Sequence, residues 1–366
     1  MGLRNYGSAI RSFNDALRQT DVVNKSSTFG SVLLLDLFDK IIKPGPGFND
    51  SNYSHVKGAL VLAKLRGVEN FREGPELRAL TNLALNATIL ALSTSSPIPG
   101  IVRDIKKHAS RSMDTSFPKW KLNDIILEVT DIKTQNLFFH STSASPSTRA
   151  IELDKKLECI PLDVSPGWTY ERKFTSGHDP RITVPDGFFP LYDVYPNRTI
   201  TQMWNVLRLT RILLCEQIVD GLSASTKNKD SALGIERATL VITSMIREIL
   251  ASVPQMTNCN FAARHKLPPA PQSGHHTHTM SHILDVYVLL YPLYVVAWTR
   301  SCPPVAREWS MGQLAHISEH FGIKEASLVL DILRKEAWRE DRSYEMAHTD
   351  PWSVYKLLGG YAFAAA

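Results

Sequence analysis

The densest run of titratable side chains is Gly274-His275-His276-Thr277-His278-Thr279-Met280-Ser281-His282, with Asp285 just beyond it. Imidazoles titrate near neutrality and, when neutral, ligate metals. His278 and His282 stand at i, i+4 and share a helical face if a helix starts early. His282 and Asp285 stand at i, i+3, so the carboxylate can orient the imidazole. His282, Asp285 and His278 are therefore the candidate acid–base residues. The plainer alternative is a solvent-exposed His-rich loop ahead of a buried helix. A second pattern, His316-Ile317-Ser318-Glu319-His320, spells H-x-x-E-H. Five residues match that pattern easily by chance, and an ordinary amphipathic helix accounts for it.

Arg208, Arg211 and Glu216 fall on an otherwise apolar helical stretch with Trp204, Leu207, Ile212 and Leu214. Buried arginines need partners, and Glu236, Glu248 and Asp220 are the expected ones. The sharper reading is that an arginine lines a cavity and binds an anionic or carbonyl-bearing ligand. Tyr287, Tyr291, Tyr294 and Trp298 form an aromatic stripe at helical spacing, either core or one wall of an apolar pocket. His55 reads as a core histidine or a base. Trp204, Arg208, Arg211, Tyr287, Tyr291 and His55 are thus the candidate ligand-pocket residues, and an apolar small molecule is the expected ligand or substrate.

The four cysteines, at 159, 215, 259 and 302, include no CxxC pair. Neither a disulfide framework nor a zinc ribbon is expected from that spacing, and no metal site is assigned. Four reduced thiols suit an intracellular protein, nuclear or cytoplasmic. There is no GxGxxG, Walker or GxSxG motif, so no cofactor is expected.

These side chains need helices to position them. Tyr6, Ile10, Phe13 and Leu17 mark an amphipathic helix, and further helices are expected near 28–43, 52–67, 74–92, 100–110 and 119–139. Residues 140–200 are rich in proline and aromatics and read as an irregular excursion laid on the helical body, with short strands near 170–174 and 191–194. Helices resume over 199–221, 231–252, 280–299, 303–321 and 322–338. The fold class is all-α: stacked helical hairpins in one body. Its parts are an N-terminal half, 1–139, the excursion, 140–200, and a C-terminal half, 201–366.

The net charge is +5, and no basic run exceeds two residues. Phosphate neutralisation needs clustered cations, so specific DNA binding is not expected. The apolar stretch Val286–Trp298 contains Pro292 and reads as too short to span a bilayer, so no membrane partner is expected.

Several local patterns occur in one order: Tyr6-Gly7-Ser8-Ala9-Ile10; His55-Val56-Lys57-Gly58-Ala59 with Leu65-Arg66-Gly67; Pro166-Gly167-Trp168-Thr169-Tyr170; Tyr192-Asp193-Val194-Tyr195-Pro196 with Trp204-Asn205, Arg208 and Arg211-Ile212-Leu213; Ala251-Ser252-Val253-Pro254-Gln255; Leu290-Tyr291-Pro292-Leu293-Tyr294; and Gly322-Ile323. This order resembles the helical regulatory domain that follows the zinc binuclear-cluster DNA-binding module in fungal transcription factors. The stretch from Tyr192 to Leu213 is the most specific. The family's six-cysteine cluster has no counterpart among these cysteines, and the sequence opens inside the first regulatory helix. The resemblance implies a regulatory, ligand-sensing helical domain without its DNA-binding module, with a homodimer as one partner arrangement. The alternative is a transcription-factor-like enzyme of fungal secondary metabolism, doing cofactor-independent acid–base chemistry (cyclisation, dehydration or hydrolysis) in a helical pocket.

Overall fold

The computed structural model describes residues 2–19, 21–42, 54–72, 74–138, 145–174, 191–224, 229–259, 278–340 and 350–358. Residues 44–47 of the expected helix breaker, the 175–190 part of the excursion, and His275 and His276 lie outside them.

The architecture is all-α. Five helices make the N-terminal layer: α1 (Gly2–Ala16), α2 (Ser26–Ile42), α3 (Ser54–Arg66), α4 (Gly74–Thr94) and α5 (Gly100–Ala109). Helix α6 (Pro118–Phe138) leads into α7 (Pro146–Cys159), and a two-stranded antiparallel ribbon follows, β1 (Glu171–Phe174) with β2 (Leu191–Val194). The C-terminal body comprises α8 (Arg198–Ala224), α9 (Lys229–Thr257), α10 (Met280–Tyr287), α11 (Leu290–Trp298), α12 (Pro304–Phe321), α13 (Lys324–Glu340) and the short α14 (Pro351–Val354).

Both expected strands form, and most expected helices fall close to their predicted spans. Two elements differ. The excursion contains a full helix, α7. Ser145 caps it by accepting from the Thr148 amide, and Pro146 occupies the first turn, where a missing N–H costs little. Ala150, Leu153 and Leu157 then bury one stripe. The segment expected as one helix over 280–299 is two, α10 and α11, separated by a turn at 288–289. The longer stretch Met280–Trp298 is long and apolar enough to cross a membrane by length and composition, but most of it is buried inside the protein.

Among the described residues, two apolar clusters form the interior. The smaller joins α2, α3, α4 and α5 through Phe29, Val56, Phe71, Leu80 and Ile105. The larger runs from α4 and α6 through α7–α13 to α14. Helix α4 is their common wall. Leu80, Leu83 and Ala84 face the smaller cluster, and Leu85, Ile89 and Leu92 face the larger. A helix apolar all round is the expected element at such a shared position.

Candidate functional site

The most specific sequence stretch folds into one buried polar network. Arg208 on α8 has no exposed surface. Its Nη1 donates to the Tyr195 hydroxyl at 2.7 Å and to Asn205 Oδ1 at 3.2 Å, and its Nε donates to Glu248 Oε2 at 3.0 Å. The Tyr195 hydroxyl in turn donates to Asp193 Oδ2 at 3.1 Å. Asp193, fully buried on β2, also accepts from Arg172 of β1 at 2.8 and 3.1 Å. The guanidinium lies 5.2 Å from the Tyr170 ring centroid and 5.5 Å from that of Trp204. Burial works against the Arg208 charge, but Tyr195 and Glu248 outweigh it and hold the group protonated. Two arginines thus meet two carboxylates around an aromatic cage. The backbone joins in: Gln255 of α9 accepts from the Tyr195 amide at 2.8 Å and donates to its carbonyl at 3.0 Å. The network fastens the β-ribbon to α8 and α9.

The six expected pocket residues meet separate partners among the described residues. Trp204 donates to the Trp168 carbonyl at 2.8 Å and belongs, with Arg208, to the ribbon dock. Arg211 makes a bidentate pair with Asp154 of α7, at 2.7 and 3.1 Å. Tyr287 and Tyr291 donate to the carbonyls of Leu358 and Pro351, both at 3.2 Å, and so hold the C-terminal turn against the body. His55 stands apart on α3, with its Nε2 2.8 Å from the Tyr6 hydroxyl. Each polar tip meets a local protein partner, which explains the dispersal. Of the expected partners, Glu248 binds Arg208 and Asp220 binds Arg300 instead, which also pairs with Glu216 of α8. The open cleft between α1 and α2 measures about 650 Å³ and is lined by residues such as Tyr6, Ala9, Phe13, Val22 and Leu35.

Of the acid–base candidates, His282 and Asp285 are buried and His278 is half-buried. His282 and Asp285 are each 5% exposed. Thr279 caps α10 by accepting from the His282 amide, which fixes the first turn. The side chains engage different partners: His282 Nε2 donates to the Met256 carbonyl at 3.0 Å, and Asp285 accepts from Arg198 at 3.1 Å. What gathers around His278 and His282 is a cysteine and a second pair of histidines. Cys259, two residues past α9, places Sγ 3.3 Å from His278 Nε2 and 3.2 Å from His320 Nε2. One donor atom from each of Cys259, His278 and His282 falls within 4.8 Å of the others. His316 stacks on His320 with centroids 4.8 Å apart, one helical turn away on α12. Phe321 backs the group, its ring 4.3 Å from His278 and 5.0 Å from both His282 and His320. Gly322 ends α12 with φ +69°, a left-handed conformation that glycine adopts without a Cβ clash.

Sequence spacing did not reveal this cluster. Cys259 lies nineteen positions before His278, and His320 comes from a helix further on. Burial raises the Cys259 thiol above its ordinary range, so by itself the sulfur is a poor nucleophile at neutral pH. Burial also lowers His316, against the opposing pull of Glu319, and favours the neutral imidazole. A thiol among imidazoles can share hydrogen bonds or ligate a soft cation; the raised thiol disfavours thiolate attack without a cation.

Comparison with known family models, characterised proteins and solved structures finds no match for this chain.

Proposed function

We propose that the chain is a regulatory helical body of the fungal zinc-cluster transcription-factor type, responsive to an apolar small molecule. One observation carries this reading. The residues of the most specific resembling stretch, Asp193, Tyr195, Trp204, Asn205 and Arg208, converge on the ribbon dock. They hold the excursion to the helical body and face no cleft described above. A sequence signature made of such residues marks a fold and its internal coupling, which suits a regulatory domain better than a reacting centre. The sensing element in this reading is the α1–α2 cleft. Its apolar lining and its volume, about 650 Å³, match small-molecule sites of roughly 300–1,000 Å³.

The enzyme reading has one observation in its favour, the burial of His282 beside a thiol and further imidazoles. Against it, Arg198 engages Asp285, the expected orienting carboxylate.

A tethering assay separates the two. Fused to an unrelated DNA-binding module, the full chain is expected to change transcription from that module's operator. Ala9→Trp, which fills the α1–α2 cleft, is expected to alter that response while leaving helix content unchanged. A reporter unaffected in either direction overturns the regulatory reading, and a response indifferent to Ala9→Trp removes the cleft from it.

A further inference from the structure

The geometry points to a zinc-class metal site built by Cys259, His278, His282 and His320. The sulfur–nitrogen separations of 3.3 and 3.2 Å are close to the edge of a tetrahedron with ordinary zinc bond lengths. With Zn–S near ~2.3 Å and Zn–N near ~2.05 Å, that edge is about 3.5 Å. The three donors Cys259, His278 and His282 lie within 4.8 Å of one another, so closing around an ion asks for movements on the order of 1 Å. His320 brings a fourth nitrogen to the same sulfur. One thiolate with imidazoles is a borderline-soft donor set, which suits zinc and cobalt and not magnesium or calcium.

The surroundings are those a metal site needs. His282 donates its Nε2 proton to the Met256 carbonyl, which leaves Nδ1 with the lone pair. Metal-bound histidines commonly have their second nitrogen fixed in this way. Phe321 supplies an apolar floor under three of the imidazoles. The Thr279 cap sets the turn that presents His282, and α12 presents His320 one turn beyond His316. The donors come from three places: the end of α9, the start of α10 and the end of α12. An ion there ties these helix ends together. With His320 as a fourth protein donor beside Cys259, His278 and His282, no position is left for substrate, so the role is structural. The site is separate from the α1–α2 cleft, so it stands whether or not the regulatory reading does.

The test uses the full chain, stripped with a chelator and titrated with Co(II). The expected result is one equivalent bound, with the visible bands of tetrahedral cobalt and a thiolate-to-metal charge-transfer band. Zn(II) should bleach both. Cys259→Ser should abolish the charge-transfer band, while Cys159→Ser, at an exposed thiol remote in sequence, should retain it. A second measurement needs no variant. Mass spectrometry after alkylation should show the Cys259 thiol of the wild-type chain reacting at least about tenfold more slowly with one equivalent of Zn(II), as coordinated thiolates do. Absence of cobalt binding, binding without the thiolate band, or a Cys259 alkylation rate indifferent to zinc each overturns the site.

Discussion

Arg208 shows what a single side chain can commit a fold to. It is fully buried, and Tyr195, Asn205, Glu248 and, at 3.7 Å, Asp193 surround it. A buried ion pair is a weak source of net stability, because desolving both charges offsets most of their attraction. Removing one member is a different matter. Arg208→Met keeps much of the volume but leaves the fully buried Asp193 with Arg172 alone and removes the cation from Glu248. The expected cost is about 3–5 kcal/mol, read as a fall in the urea midpoint at unchanged slope. Arg211→Met breaks one buried bidentate pair, with Asp154 of α7, and fewer partners depend on it, so it is expected to cost less. A cost for Arg208→Met no greater than for Arg211→Met would show that the ribbon dock is not the keystone. The same scale explains which partners the sequence disclosed. Glu248 was legible because it lies on the next long helix, within the expected hairpin. Asp193 and Asp154 were not, because both belong to the excursion, where no periodicity says which way a side chain faces.

At the scale of elements, the packing of α7 on α8 depends on a missing side chain. A Cβ at Gly221 would come 1.8 Å from Ser147 Oγ and 3.1 Å from Ser147 Cβ. Two effects compete in Gly221→Ala. Helix propensity favours alanine by up to ~1 kcal/mol, and less near a helix end. Overpacking typically costs ~1–3 kcal/mol. The contact should win, giving a net loss of about 1 kcal/mol alone. In a Ser147→Ala background the hydroxyl is gone, and the same change should become neutral or stabilising. A double-mutant cycle in urea checks this, and additivity of the two changes would refute the close approach. Helix α7 also marks the limit of sequence reading. Proline 146 looked like a helix breaker, whereas at the first turn it starts one. The division of α10 from α11 was equally hidden, since a segment apolar on every side gives no periodic signal at which to break it. The strands at 171–174 and 191–194 were legible because short runs between prolines leave few other structures. Of the Cys/His cluster, His278 and His282 stood out as a local run. His320 stood out only within the H-x-x-E-H pattern and Cys259 not at all, because only the meeting of α9, α10 and α12 brings them near His278.

At the scale of the whole molecule, charge decides what the body can do with nucleic acid. The chain carries +5 from 41 basic and 36 acidic residues. The fold then uses many of its cations internally: Arg172, Arg208 and Arg211 meet carboxylates in or near the core, and Arg66, Lys106 and Arg300 pair with carboxylates of other segments. Each pair takes up one cation and one carboxylate, so the net charge stays at +5 while fewer cations remain to contact a phosphate backbone. Affinity for duplex DNA rises with the number of phosphates neutralised, and each contact steepens the salt dependence by about 0.9 in log–log slope. A body with few clustered free cations should therefore bind weakly, with a shallow slope. In fluorescence anisotropy at ~150 mM salt, the full chain is expected to show no affinity better than micromolar and no preference among duplex sequences. The proposed regulatory role is compatible with that outcome, because the helical body then acts on transcription through its ligand and its packing while another module reads the DNA. A sequence-dependent nanomolar complex would overturn this expectation and move DNA reading into the helical body itself.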